Sequence, residues 1–243
     1  MVGWLPLLLI GIVWYITTDV FQWLDPFLFP GPTAVLSIIG EDYPFLFTSL
    51  LSSLTLLFVS FGCAIVTAIP LGLLVGQSKR IERLIHPFTN LASPIPPIVY
   101  IPYAVALLPT FWLASSFILY IGAFWPVFLN TVNGVKQIDH RLLDSAHTLG
   151  ISRKDWYAKI LLPGAMPSIF SGMTIGLVLS FILLTAAEIV GGSSGLGWYV
   201  KNYSDFGDYP RVVSGILFIG LVVAGLTQIM RRTERYVLRW RER

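Results

Sequence analysis

The sequence predicts an all-α integral membrane protein, a single domain over residues 1–243 with six membrane-spanning helices. Three observations predict it. Hydrophobic residues make up 55% of the 243-residue chain and charged residues only 12%, about half the charged share of an ordinary soluble domain. The mean hydropathy of +0.75 leaves too little polar surface to cover 27.0 kDa in water. Apolar runs long enough to cross about 30 Å of hydrocarbon recur along the chain, separated by short polar stretches. The same composition excludes disorder, which needs a polar, highly charged chain.

Taken in order, the expected spans are residues 4–18, 49–76, 88–108, 115–132, 166–190 and 212–230. The first is short, yet it lacks the basic start and small-residue cleavage site of a secretory signal and reads as a retained anchor. The third carries Pro94, Pro96, Pro97 and Pro102 and must be broken or extended at its start. Irregular backbone survives at membrane depth only against protein or a wet cavity. Cys63 is the sole cysteine, which excludes a disulfide framework and any multi-cysteine metal site. Its apolar surroundings predict a small buried packing residue.

Lysine and arginine set the orientation. Only Lys201 and Arg211 fall in the loops of one side, leaving fourteen of the sixteen basic residues on the other. The positive-inside rule puts that richer side, and both termini, in the cytoplasm. The basic tail after residue 230 resembles a nucleic-acid patch in composition, but beside a membrane span it reads as a topology anchor touching anionic lipid. No nucleic acid is expected as a partner.

The cytoplasmic stretch between spans four and five, about residues 134–165, is the most informative. Ile138, Leu142, Ala146 and Leu149 recur at helical spacing as an apolar stripe. Asp139 can cap the start of this helix and Gly150 can end it in a left-handed turn. Ser152 with Asp155 three residues on is a capping-box pattern that starts a second helix. Pro163 is expected to interrupt that second helix before span five. Two burial partners suit the stripe: the chain's own spans, or a groove on a cytoplasmic protein.

This stretch resembles the EAA loop of permease subunits of bacterial ABC importers: Glu-Ala-Ala, three residues, Gly, nine residues, Ile-x-Leu-Pro. Asp144, Ser145, Ala146, Gly150, Ile160, Leu162 and Pro163 hold those positions at the same spacing, with Asp for Glu and Ser for Ala. Further segments, at residues 29–35, 69–76, 94–97 and 193–197, are similar to the nitrate/sulfonate/taurine-type branch and to bicarbonate and thiamine-precursor systems. The loop at 107–112 departs from that branch, lacking its glycine-rich, acid-containing turn.

The resemblance implies a six-helix type I ABC importer transmembrane subunit with a cytoplasmic coupling helix. It implies a bacterial inner membrane location and assembly with a second permease copy or paralogue. It also implies two cytoplasmic ABC ATPase subunits, which carry the ATP and Mg, and an extracytoplasmic solute-binding protein. On this sequence Leu142, Leu143, Ala146, His147 and Leu149 would form the docking face. Arg141 and Asp144 would supply charge pairs at its rim, and Gly150 the pivot. The chain itself has no G-x-x-x-x-G-K-[ST] loop and is not expected to be an enzyme or to hold a cofactor.

Glu188 is the only carboxylate within an expected span. Three roles fit it: a gate or pathway residue at the dimer interface, a carboxylate that snorkels to the outer surface, or a cap on the glycine-rich turn at 191–197. Ser180 and Thr185 share its span as candidate pathway residues, with hydrogen bonding between helices as the alternative. Gly172 and Gly176 form a G-x-x-x-G spacing suited to close helix packing. The histidines, His86, His140 and His147, come without a carboxylate cluster, so no metal site is expected. An intramembrane enzyme lacks its motifs here. A secondary transporter, working without ATPase subunits, is the alternative function, although neither an internal repeat nor midplane charges point to one.

Overall fold

The computed structural model of the chain describes residues 5–242, apart from the side chains of Leu7, His147, Arg241 and Glu242. Trp4, where the first expected span begins, and Arg243 lie outside the described residues. The described chain is all-α, with no strand. In order it runs α1 (Leu5–Tyr15), a π turn (Ile16–Val20), α2 (Pro32–Glu41), α3 (Tyr43–Gly76) and α4 (Lys79–Ala92). A 3₁₀ turn (Pro97–Tyr100) leads into α5 (Ile101–Leu107), followed by α6 (Phe111–Lys136), α7 (His140–Thr148) and α8 (Arg153–Asp155). A second π turn (Trp156–Leu161) precedes α9 (Leu162–Gly191), α10 (Leu196–Asp205) and α11 (Tyr209–Val237).

Among the described residues four helices are long and apolar enough to cross a membrane: Tyr43–Gly76, Phe111–Lys136, Arg153–Gly191 and Tyr209–Val237. They contain the second, fourth, fifth and sixth expected spans. The third is the pair Lys79–Ala92 and Pro97–Leu107, bent by 73°. Prolines at the break cause the bend, since Pro94, Pro96 and Pro97 have no N–H to continue a helical ladder. The first expected span is represented by α1 and the π turn that follows it, a shorter apolar helix than the four above among the described residues.

The chain packs as two compact units, one of residues Met1–Thr55 with Thr185–Val223 and one of Leu56–Leu184 with Ala224–Arg243. In the second unit, α6 and α9 approach closely where Gly172 lies against Pro126 and Asn130; a Cβ there would come within 2.7 Å of the Pro126 carbonyl. Gly176 lies one turn on, against Ala123, so the G-x-x-x-G pair is a helix-packing surface. Cys63 is exposed on α3 rather than buried. The apolar run around it predicts burial for a soluble core, but a membrane helix is apolar on its outward face as well.

Candidate functional site: the coupling segment and the capped outer turn

The cytoplasmic segment starts where α6 ends. Asp139 accepts the Arg141 N–H at 2.8 Å, and its carbonyl accepts from Leu142 and Leu143 at 3.0 and 3.3 Å. The side-chain bond satisfies a first-turn donor that the helix cannot satisfy itself, and the carbonyl accepts the first bonds of the helical ladder. Helix α7 then runs until Gly150, whose φ of +62° is the left-handed conformation glycine adopts without penalty. Ser152 restarts the chain by accepting the Asp155 N–H at 3.2 Å while its hydroxyl donates to the Asp155 carboxylate at 3.1 Å. Asp139, Gly150 and Ser152 thus act where the sequence places them.

The apolar stripe does not bury as one face. Ile138 and Ala146 are buried, and Leu143 packs with Ile138 on the cluster of Leu73, Val135, Leu161, Ala165 and Ile169. Leu142 and Leu149 are 48% and 79% exposed, and Arg141, Asp144 and Ser145 are exposed as well. The expected docking face therefore divides. Leu143 and Ala146 anchor α7 to its own bundle; Leu142, Leu149, Arg141 and Asp144 look outward. The helical repeat does not make this division, since Ala146 is as near to Leu142 and Leu149 as to Leu143; the packing of Ile138 and Leu143 on the neighbouring cluster makes it. The backbone of His147 belongs to α7, but its side chain lies outside the described residues.

Pro163 does not break the second helix. The chain runs helically from Arg153 to Gly191 because the π turn at Trp156–Leu161 comes just before the proline. The Leu162 N–H bonds back to Tyr157, and this wider winding moves the carbonyl of the preceding turn away from the proline ring. The result is a continuous rod from the Gly150 elbow into span five. Its root is held by Gln77, which donates to the Tyr157 hydroxyl and accepts from the Trp156 indole N–H at 3.3 Å. Nothing in local spacing marks Gln77, which is 79 residues from Trp156.

At the far end of the same helix Glu188 is 3% exposed. One carboxylate oxygen accepts from the Ser53 hydroxyl at 2.6 Å, the other from the Gly197 N–H at 2.7 Å. Ser53 in turn accepts the Leu196 N–H at 2.9 Å. Gly195 has a φ of +109°, and a Cβ there would collide with the Glu188 carboxylate. The glycine run thus folds onto Glu188, which caps the first turn of α10. This geometry contains the bonds of the turn cap, and the burial of the carboxylate does not fit one that snorkels to the surface. Ser180 donates to the Leu119 carbonyl at 3.1 Å, a bond between α9 and α6. Thr185 is half-buried one turn before Glu188, its carbonyl facing Gly197.

A second polar cluster escapes sequence reasoning. Asp42 accepts from the Tyr199 hydroxyl at 2.9 Å and from Arg211 Nε at 2.9 Å. Arg211 also pairs with Asp208 at 2.6 Å and lies over the Tyr203 ring at 5.3 Å. Burial, followed by the bond to the Asp42 carboxylate, pushes the Tyr199 phenol above its ordinary pKa. The partners lie 157 and 169 residues apart, so no motif could reveal them. Among the described residues no group of three or more His, Cys, Asp or Glu could hold a metal ion.

Residues 68–242 match the family described as the binding-protein-dependent transport system inner membrane component. The chain belongs to this family. Its relatives include the nitrate import permease of Leptolyngbya laminosa, 32% identical over 177 residues, which cover 73% of this chain and 63% of that protein. The taurine transport system permease of Escherichia coli is 29% identical, covering 94% and 85%. The bicarbonate transport system permease of Synechococcus elongatus is 30% identical, covering 86% and 81%. The chain thus spans less than two thirds of the nitrate permease and most of the other two. Its fold is similar to a chain of the inward-facing MetNI methionine ABC transporter, with a TM-score of 0.69 at 21% identity, covering 81% of this chain and 98% of that one. Family and helices together make this a multi-pass inner-membrane protein.

Proposed function

We propose that the chain is the transmembrane subunit of an ATP-driven ABC importer and pairs with a second copy or a paralogue to form the solute pathway. The solute is a small polar anion of the nitrate, sulfonate or taurine kind, delivered by an extracytoplasmic binding protein. Two cytoplasmic ATPase subunits bind and hydrolyse ATP with Mg, and this chain holds no cofactor. Both termini lie in the cytoplasm, following the distribution of lysine and arginine. The names of the relatives support a solute that carries an anionic oxygen-acid group, since nitrate, taurine and bicarbonate permeases all align over most of this chain.

One observation carries the reading. A short helix with Leu142 and Leu149 turned outward joins, through one left-handed glycine, a helical rod that runs 39 residues from Arg153 to Gly191. An ATPase cleft that closes on α7 would move that rod as a rigid body, since packed elements switch between discrete arrangements rather than deform smoothly. Arg141 and Asp144 then sit at the cleft rim.

The test is reconstitution in proteoliposomes with a candidate ATPase and a candidate solute-binding protein from the same organism. Solute uptake should require both partners and ATP. Uptake by this chain alone, driven by an ion gradient, would overturn the reading in favour of a secondary transporter.

A further inference from the structure

We propose that α4 and the end of α6 form a binding site for the headgroup of an anionic phospholipid, with the acyl chains lying along the outer edge of α4. This goes beyond the importer reading, because it concerns the surrounding membrane rather than the solute.

Helix α4 is strongly two-faced. Ile85 packs on the cluster of Ala68, Val75, Val127, Phe128 and Val132, and Thr89 is buried. Ile81, Leu84, Phe88 and Leu91 share the neighbouring edge at helical spacing, 38%, 75%, 64% and 75% exposed. The 73° bend turns α4 away from the apolar α5. A 14-residue helix with an apolar edge, a basic edge and a sharp angle to the next helix has the form of a segment that meets the headgroup layer where this broken span begins.

Beside the apolar edge is a cavity of about 480 Å³ lined by Lys79, Glu82, Arg83, His86, Pro87 and Lys136. Lys136 is paired with Glu82 at 2.6 Å. Lys79 and Arg83 have no carboxylate partner among the described residues; Arg83 Nε donates only to the Lys79 carbonyl, at 3.3 Å. The cavity therefore holds two uncompensated cations next to an exposed apolar strip. A free inorganic anion satisfies the first feature and leaves the second bare. An anionic phospholipid satisfies both, with its phosphate at Lys79 and Arg83 and its chains over Leu84, Phe88 and Leu91. Basic pockets between membrane helices on the cytoplasmic side recognise such headgroups.

The experiment compares the full chain with the Lys79→Gln/Arg83→Gln variant, each reconstituted with cardiolipin or with phosphatidylcholine, and counts retained lipid by native mass spectrometry. Wild type should retain cardiolipin selectively. Affinity in the double variant should fall about thirty-fold at low ionic strength, given the usual contribution of each cation near a membrane surface. The swap Lys79→Arg/Arg83→Lys should retain binding, and Leu84→Ser/Leu91→Ser should weaken it for cardiolipin without altering any response to inorganic phosphate.

Equal retention by wild type and the neutralised variant overturns the proposal. So does complete displacement of the lipid by millimolar inorganic phosphate, which would make this a free-anion site. Efficient disulfide crosslinking of Leu91→Cys between two copies in a Cys63→Ser background also overturns it, by giving the apolar edge to a second chain.

Discussion

Replacing Glu188 with alanine separates the turn cap from a pathway role. The substitution strips the acceptor from the Ser53 hydroxyl and the Gly197 N–H, bonded at 2.6 and 2.7 Å in a site where Glu188 is 3% exposed. A buried donor left without a partner costs about 1–3 kcal/mol. The Ser53 hydroxyl can rotate to recover part of this, so the loss should total about 2–4 kcal/mol. For a chain of this size that corresponds to a melting midpoint lower by roughly 4–16 °C. Glutamine should cost far less, because its oxygen can accept from Gly197 while its amide donates to Ser53, which has a lone pair to spare. Ser53→Ala should resemble Glu188→Ala, since it also removes the acceptor for the Leu196 N–H. The double variant should cost less than the two singles summed, because they share a bond. Thermal unfolding of the purified chain followed by intrinsic fluorescence, beside uptake in proteoliposomes, measures both effects. If Glu188→Ala melts with the wild type but abolishes uptake, the carboxylate acts on solute or gating and the capping argument fails.

Four further outcomes follow from the same geometry. Leu142→Asp places a charge on the exposed side of α7 and should reduce co-purification of the ATPase several-fold with no change in melting; normal recovery would remove Leu142 from the docking surface. Gly150→Val forces a β-branched residue into a left-handed turn at φ +62°, a strain of at least about 1–2 kcal/mol. No neighbouring atom lies within 4 Å of the added Cβ, so the chain should fold but hydrolyse ATP without matching uptake; full coupling would refute the pivot. Gln77→Ala removes the link between the end of α3 and Trp156 and Tyr157, and should lower uptake per ATP hydrolysed, with asparagine too short to rescue it. Gly172→Leu drives a side chain into the Pro126 carbonyl and Asn130 and should cut the yield of folded protein sharply; normal yield and melting would show that α6 and α9 can separate cheaply.

Some of this molecule was legible from local pattern. Hydropathy located the membrane helices, since a span must be apolar over its whole length whatever it packs against. Proline spacing announced the break between α4 and α5, because a missing N–H acts within one turn. Asp139, Gly150 and Ser152 were readable for the same reason: caps and left-handed turns are decided by a residue and its near neighbours. The twenty-residue spacing from Asp144 to Pro163 carried the family, whose match over residues 68–242 agrees with it.

Tertiary structure decided which side of each helix faces protein. In a membrane both the buried and the outward faces are apolar, so periodicity could not divide Leu143 and Ala146 from Leu142 and Leu149, nor place Cys63 on the outside. It decided as well that Pro163 is absorbed by a π turn, a backbone adjustment with no residue signature of its own. Long-range polar partners, Ser53 with Glu188, Asp42 with Tyr199 and Arg211, and Gln77 with Trp156, exist only once distant helices meet. A hydrogen bond is fixed by positions in space, and a separation of 79 to 169 residues leaves no trace in local order. Sequence alone determined that this chain lives in a membrane and where its elbow bends. The folded structure determined what the elbow presses on.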